Sequence, residues 1–301
     1  MKKIKIIYNP KAGRQMVQKN IPRLVEVLVK QYHEEVDSVA TQGPGHAEEL
    51  AYQSCQEGWD LIVAVGGDGT VNEVVNGMMS CEKQCPLAIY PAGTVNDFGS
   101  HLQISKKPED FARMIVAGHR LNVDVGKAGE RYFINVIAGG LLPNVAHNVS
   151  TEAKTVFGKL AYYMEGIKEF PKQLFETLDI QFQIGEEIYE KEVLFFFMTN
   201  SPNVGGFKHV AHNARLNDGK FDLLIVERGQ VLDVTKLFFN AITGRPKEQP
   251  ILKYIQVEKI RIHSKEPLHI DIDGEEGELL PMTFKVNKEA LTILVPEGVH
   301  Y

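Results

Sequence analysis

Two glycine-bearing stretches of this sequence have the residue types and spacing for phosphate chemistry. Gly66-Gly67-Asp68-Gly69-Thr70 follows an apolar run at residues 61–65, and Gly93-Thr94-Val95-Asn96-Asp97 follows another at residues 87–90. The second stretch echoes Gly69-Thr70-Val71-Asn72-Glu73 almost residue for residue. A glycine turn between a strand and a helix lets backbone approach a ligand without Cβ atoms in the way. The unpaired N–H groups at the helix start, and its dipole, then attract an anion. Two such turns on neighbouring strands make a two-sided crevice for a polyphosphate. Asp68 offers the hard oxygen that magnesium prefers, with bonding of turn amides as its plain alternative. The pattern is neither GxxxxGK[ST] nor a full dinucleotide fingerprint, because Asn72 stands at the third glycine position. A tight capped turn without a ligand is the other reading. Thr70 and Glu73 have capping-box spacing, which predicts a helix starting there, with Val71, Val74, Val75 and Met78 facing the sheet. Asp97 ends an equivalent box.

Two more segments carry carboxylates at turns. In Leu268-His269-Ile270-Asp271-Ile272-Asp273-Gly274-Glu275 the alternation predicts a half-buried strand that ends at Asp273-Gly274-Glu275. The acids there suit proton transfer, and Asp-Gly equally suits a plain hairpin turn. Arg215-Leu216-Asn217-Asp218-Gly219-Lys220 can hold a cation through Asp218 and nearby carbonyls, or be only a turn.

The elements that must position these groups follow from hydrophobic periodicity. Strands are predicted at residues 3–8, 35–40, 61–65 and 86–90, and helices over a stripe at Ile21, Leu24, Val25 and Leu28, at 47–55 and at 108–117. Alternating strands and helices mean a doubly wound, mainly parallel sheet with ligands at the strands' carboxyl ends. Asn9, Thr41, Gly66 to Thr70 and Thr94 all fall at that edge. Near Leu121 the pattern changes. Paired strands are expected at 122–126 and 131–136, a long helix at 158–175, then short strands at 178–184, 187–199, 221–226, 254–263, 268–272 and 282–286. Such runs predict an antiparallel β-sandwich as a second domain. The division is thus an α/β domain at residues 1–122 and a sandwich at 123–289. Aromatic residues at 195–197 and 238–239 would line an acyl slot or simply fill a core.

Composition narrows the function class. The 301 residues carry a formal charge of −6, with 44% hydrophobic and 24% charged residues. That balance argues against nucleic acid as a partner and against membrane adhesion by net charge alone. Cys55, Cys81 and Cys85 fit a reduced, cytoplasmic chain better than disulfides or zinc. The basic start is too short in apolar residues for a signal peptide, and no run suggests a transmembrane segment. A chain acting on lipid would meet the inner membrane face transiently from solution. The sequence leaves a homodimer open.

GGDGTVNE followed by PAGTVNDF resembles the diacylglycerol kinase catalytic family, which includes bacterial lipid kinases and the sphingosine kinases. The likeness also takes in Asn9-Pro10 with Gly13, Leu216-Asn217-Asp218-Gly219 and Asp273-Gly274-Glu275. GGDGT alone is shared with NAD kinases and phosphofructokinases. The resemblance implies the same two-domain division, with a final strand at 291–295 bringing residues 290–301 back to the first domain. It implies transfer of the γ-phosphate of ATP, with Mg²⁺, to a lipid hydroxyl such as that of diacylglycerol. It implies nucleotide contacts at Asn9, Thr41, Gly66, Gly67, Asp68, Gly69, Thr70, Val71, Asn72, Thr94 and Asp97. It makes Glu275 the candidate base and Asp273 an assisting carboxylate that orients it or binds metal. It also implies a structural magnesium held by the Asp218 side chain and the carbonyls of Arg215 and Lys220. One departure stands out: Ala211-His212-Asn213-Ala214 replaces the family's Ala-Pro-x-Ala. An NAD kinase and a catalytically silent nucleotide-binding regulator are the rival readings.

Overall fold

The structure is a computed structural model that describes residues 2–93, 96–140, 176–203, 211–229, 233 and 250–298. Thr94, the helix expected at 158–175, and Phe238 and Phe239 lie outside the described residues. Strands β1 (Lys3–Tyr8), β2 (Glu35–Ala40), β3 (Leu61–Gly66) and β4 (Leu87–Pro91) form a parallel set in the order β4-β3-β1-β2. Helices α1 (Arg14–Tyr32), α2 (His46–Glu57), α3 (Asp68–Met79), α4 (Asp97–His101) and α5 (Pro108–Ala117) accompany them. Right-handed crossovers in that strand order put α1 on one face and α2 with α3 on the other. The observed packing of α1 on α5, and of α2 on α3, fits this arrangement. Every residue of β3 and β4 is buried, as expected of strands covered on both faces. Among the described residues no helix is long and apolar enough to cross a membrane.

The chain then turns antiparallel. It runs through β5 (Arg120–Ala128), β6 (Arg131–Phe133), β7 (Val136–Gly140), β8 (Leu178–Ile184), β9 (Glu187–Thr199) and β10 (Phe221–Glu227). It continues through β11 (Leu252–Val257), β12 (Lys259–Ser264), β13 (His269–Ile272), β14 (Glu275–Leu279) and β15 (Met282–Leu294). Their inward faces make a second core, with Phe133, Phe182, Phe196, Phe221 and Phe284 fully buried. The strand expected at 254–263 is divided into β11 and β12. The strands expected at 282–286 and 291–295 are one strand, β15, irregular between Asn287 and Leu291, where Glu289 has φ 51°. β15 pairs with β12 and β5, and its end pairs in parallel with β4 through Ile293 and Leu87. The last strand therefore joins the parallel and antiparallel strands of the chain.

The capping box expected at Thr70 and Glu73 does not form. Helix α3 begins at Asp68 after Gly67, with no side-chain cap, so Thr70 lies inside its first turn. Glu73 instead accepts the Ala47 N–H at 3.0 Å and braces α2 against α3. Asp97 is the first residue of α4, after Asn96 in the left-handed region, so the two similar stretches fold differently. The apolar stripe of α3 is as the spacing predicts, with Val71, Val74, Val75 and Met78 buried.

The glycines at the strand ends have distinct causes. A Cβ on Gly93 would lie 2.5 Å from the Gly67 Cα, and one on Gly66 would lie 2.4 Å from the Thr70 Cβ. A Cβ on Gly67 would meet only the Gly93 Cα, at an ordinary 3.5 Å. Gly93→Ala should therefore cost about 2 kcal/mol or more of stability, whereas Gly67→Ala should cost less than about 1. Urea unfolding of the two variants checks the order. If Gly67→Ala proves the more damaging, the room beside Gly67 is absent.

Candidate active site

The site is assembled around a carboxylate that joins the two halves of the chain. Asp273 follows β13 with φ 50°, and Gly274 follows with φ 88°. Two successive positive φ angles between paired strands are the favoured two-residue hairpin, so the plain turn reading is correct as far as it goes. The side chain does more. Asp273 Oδ1 accepts the N–H groups of Asn135 at 3.0 Å and Val136 at 2.7 Å. Its Oδ2 accepts the Ile134 N–H at 3.0 Å and the Asn72 amide at 2.7 Å. Asn72 lies on α3 and also donates to the Tyr132 carbonyl at 3.0 Å, while Asn76 accepts the Tyr132 N–H at 2.8 Å. Burial raises the Asp273 carboxyl above the usual carboxylate range, against the pull of these donors.

Around this joint stand the residues expected to meet a nucleotide. Asn9, just past β1, accepts the Lys11 N–H at 2.9 Å and points its amide at the Thr70 hydroxyl, 3.4 Å away. Thr41 donates its N–H to the Tyr8 carbonyl at 2.8 Å, which holds it at the same edge. Asp68 accepts the Asn96 N–H at 3.0 Å, and Asn96 in turn accepts the Gly93 N–H at 2.8 Å. Burial, then the neighbouring Asp97 and Asp273 carboxylates, raises Asp68 to about 6. Gly66, Gly67, Gly69 and Thr70 surround the uncapped start of α3, whose first N–H groups have no intrahelical partner. Val71 and Asn72 turn the other way, Val71 into the core and Asn72 toward Asp273.

Glu275, the first residue of β14, faces that helix start from the opposite side. Its Oε1 would lie 3.2 Å from a Cβ on Gly69. Its Oε2 accepts a 2.9 Å bond from Arg131, a residue that sequence reasoning missed. Both partners are partly exposed, so the pair contributes orientation more than stability. Glu48 of α2 stands near enough for Arg131 and Glu275 both to bear on it, although burial is the main cause of its raised carboxyl.

The loop from Arg215 to Lys220 is connected to the joint indirectly. Asp218 accepts the Lys220 N–H at 3.0 Å, a local turn bond. Asp124, fully buried, accepts the Gly219 N–H at 2.6 Å and the Glu289 N–H at 2.7 Å. Asn200 donates its amide to the Asp124 carbonyl at 2.8 Å and its N–H to the Asn135 carbonyl at 2.9 Å, and Asn135 bonds Asp273. A continuous run of hydrogen bonds thus links the Asp218 loop to Asp273. Asp124 gave no signal in the sequence, because its partners Gly219 and Glu289 lie far along the chain. His212 is exposed, with its ring 5.8 Å from that of Tyr254. Tyr254 donates its hydroxyl to the buried Asp222.

Asp273→Ala would strand its donors in the interior. A loss of about 3–5 kcal/mol is expected, read from the urea midpoint of the metal-free protein. Unchanged stability would mean that the carboxylate does not join the halves.

Residues 3–128 match the diacylglycerol kinase catalytic domain, and residues 135–295 match the YegS C-terminal NAD kinase beta sandwich-like domain. A diacylglycerol kinase of Staphylococcus carnosus (strain TM300) is 33% identical over 300 residues, covering 99% of this chain and 96% of the relative. One from Staphylococcus aureus (strain JH9) is 33% identical over 298 residues, covering 99% and 94%. A crystal structure from Bacillus anthracis str. Sterne superposes with a TM-score of 0.85 at 27% identity, covering 99% of this chain and 97% of that one. With a relative 33% identical along nearly its whole length, the chain belongs to the diacylglycerol kinase catalytic family.

Proposed function

We propose that this enzyme transfers the γ-phosphate of ATP to the free hydroxyl of a lipid such as diacylglycerol, with Glu275 as general base. The observation that carries the reading is the approach of Glu275 to Gly69. It sets a carboxylate from one half of the chain against the uncapped helix start of the other. Donor phosphates resting on the α3 N–H groups would present their terminal phosphoryl toward Glu275. The acceptor hydroxyl enters from the β14 side, and Glu275 takes its proton late, as a loose transition state allows. Arg131 fixes the direction in which the carboxylate points. Asp273, with its lone pairs engaged, orients the hairpin that bears Glu275.

The donor set fits magnesium. Among the described residues no three protein ligands stand together as a complete set, and magnesium usually takes one or two carboxylates plus phosphate and water oxygens. Asp68 would hold it, with Asp97 beside. When bound, the ion would neutralise phosphate charge and offset the burial and neighbouring carboxylates that raise Asp68. A second, structural cation on Asp218 and the carbonyls of Arg215 and Lys220 would stiffen the loop that leads through Asp124 to Asp273. We divide the chain functionally as a nucleotide half, residues 1–122 with 290–301, and a lipid half, residues 123–289. Its lipid would be met at the inner face of the membrane.

The sandwich shared with NAD kinases makes NAD the acceptor to exclude. In side-by-side assays with labelled ATP, diacylglycerol should become labelled and NAD should not; labelling of NAD alone would overturn the proposal.

Glu275→Gln should leave ADP affinity nearly unchanged and lower turnover about 10²- to 10⁴-fold. A parallel fall in ADP affinity and metal dependence would make Glu275 a metal ligand instead.

The raised Asp68 carboxyl has a pH signature. Its folded value of about 6 lies above the ordinary 3.8, so its contribution to stability is lost as pH rises through that window. Metal-free Asp68→Asn should exceed the wild type by up to about 3 kcal/mol near pH 8, and the gap should vanish below about pH 4. Wild-type affinity for Mg·ADP should fall up to about 10-fold per pH unit below about 6. An affinity that is flat across this range would remove Asp68 from the cation site.

A further inference from the structure

Arg131 opens β6, and the residue after it is tied to α3 through both of its peptide groups. The Tyr132 N–H goes to the Asn76 side chain at 2.8 Å. The Tyr132 carbonyl accepts the Asn72 amide at 3.0 Å and the Asn76 amide at 2.9 Å. The backbone that carries Arg131 therefore keeps a fixed place relative to the helix that starts at the glycine crevice. From there Arg131 Nη2 reaches Glu275 Oε2 at 2.9 Å, while Oε1 would stand 3.2 Å from a Cβ on Gly69. Only the width of one carboxylate separates the guanidinium from the approach to the α3 start. Stability gives this pair little purpose, because ion pairs between partly exposed side chains contribute little. Among the described residues Glu275 is the one acceptor of this guanidinium, so the rest of its planar fork is open to an anion.

We propose that Arg131 binds the γ-phosphoryl of the donor, bridging it to Glu275, and so makes the site prefer a nucleoside triphosphate over a diphosphate. This role rests on the reading that places donor phosphates at the start of α3. A terminal phosphoryl aimed at Glu275 brings two negative groups together, and like charges at such range repel strongly. A cation beside Asp68 offsets that charge from the crevice side. On the Glu275 side the positive group already in place is Arg131. A guanidinium presents parallel N–H groups that match phosphate oxygens two at a time. With Nη2 on Glu275 and its other N–H groups on the phosphoryl, Arg131 offsets the repulsion and leaves Oε1 to face the acceptor hydroxyl. Charge that spreads over the phosphoryl oxygens in a loose transition state falls on the same donors. A lysine would supply the charge without the fork.

The test measures binding and needs no turnover. Full-length protein with Mg²⁺ is titrated calorimetrically with ADP and with the non-hydrolysable β,γ-imido analogue of ATP. Arg131→Gln should bind ADP within about twofold of wild type and the triphosphate analogue about 10-fold or more less tightly. Arg131→Lys should fall between the two, and ADP binding serves as the check that both variants fold. Unchanged analogue affinity in Arg131→Gln would leave Arg131 as a partner of Glu275 alone and overturn the proposal. An equal fall for both nucleotides would overturn it too, because the loss would then not lie at the γ-phosphoryl. Wild-type protein that binds neither nucleotide would instead overturn the kinase reading, and this role with it.

Discussion

The carboxylate of Asp273 is the interaction on which the rest of the site depends. Its two oxygens accept backbone N–H groups from Ile134 to Val136 and the side-chain amide of Asn72. An unpaired buried carboxylate is costly, and removing any one donor would leave part of that cost uncompensated. The geometry is therefore all-or-none. The hairpin turn, the start of β7 and the buried face of α3 must come together in one arrangement. Because α3 begins at the glycine crevice and β14 begins at Glu275, that arrangement also sets the distance between the start of α3 and the Glu275 carboxylate. A cleft fixed in this way needs little ordering when substrates arrive, which is where positioning catalysis gains its advantage.

The same joint creates electrostatic tension. Asp68, Asp97 and Asp273 crowd one region, and burial with the other two carboxylates raises Asp68 to about 6. A negative crevice is a poor place for a polyphosphate unless a cation accompanies it. The helix start supplies N–H groups and a favourable dipole end, while the acids favour a divalent ion. The two demands fit a nucleotide–metal complex better than either component alone. Arg131 provides a positive charge on the far side, where it orients Glu275 at 2.9 Å.

The parallel half of the fold was legible because its strands are short, apolar and punctuated by glycine, and β1 and β2 fall on the predicted residues. The antiparallel half was legible as strands, and its boundaries less so. The divide between β11 and β12 falls at Glu258, and the bend in β15 at Glu289, neither of which is a glycine or a proline. Capping-box spacing misled at Thr70 and Glu73, because tertiary contacts engage both side chains: Thr70 with Asn9 and Glu73 with Ala47. The turn at Asp273 was legible from Asp-Gly, but its four-donor role was not. Three of those donors are backbone groups more than 130 residues away in the chain, and backbone carries no sequence signal. Arg131 and Asp124 were invisible for the same reason: their meaning lies in distant partners.

The most direct measurement is a crystal structure of the protein with Mg·ADP. The diphosphate is expected on the N–H groups that open α3, between Asn9 and Gly93, with the metal beside Asp68 and the Glu275 carboxylate facing the empty γ-phosphate position. A diphosphate bound away from the α3 start, or one whose terminal oxygens point away from Glu275, would contradict that placement.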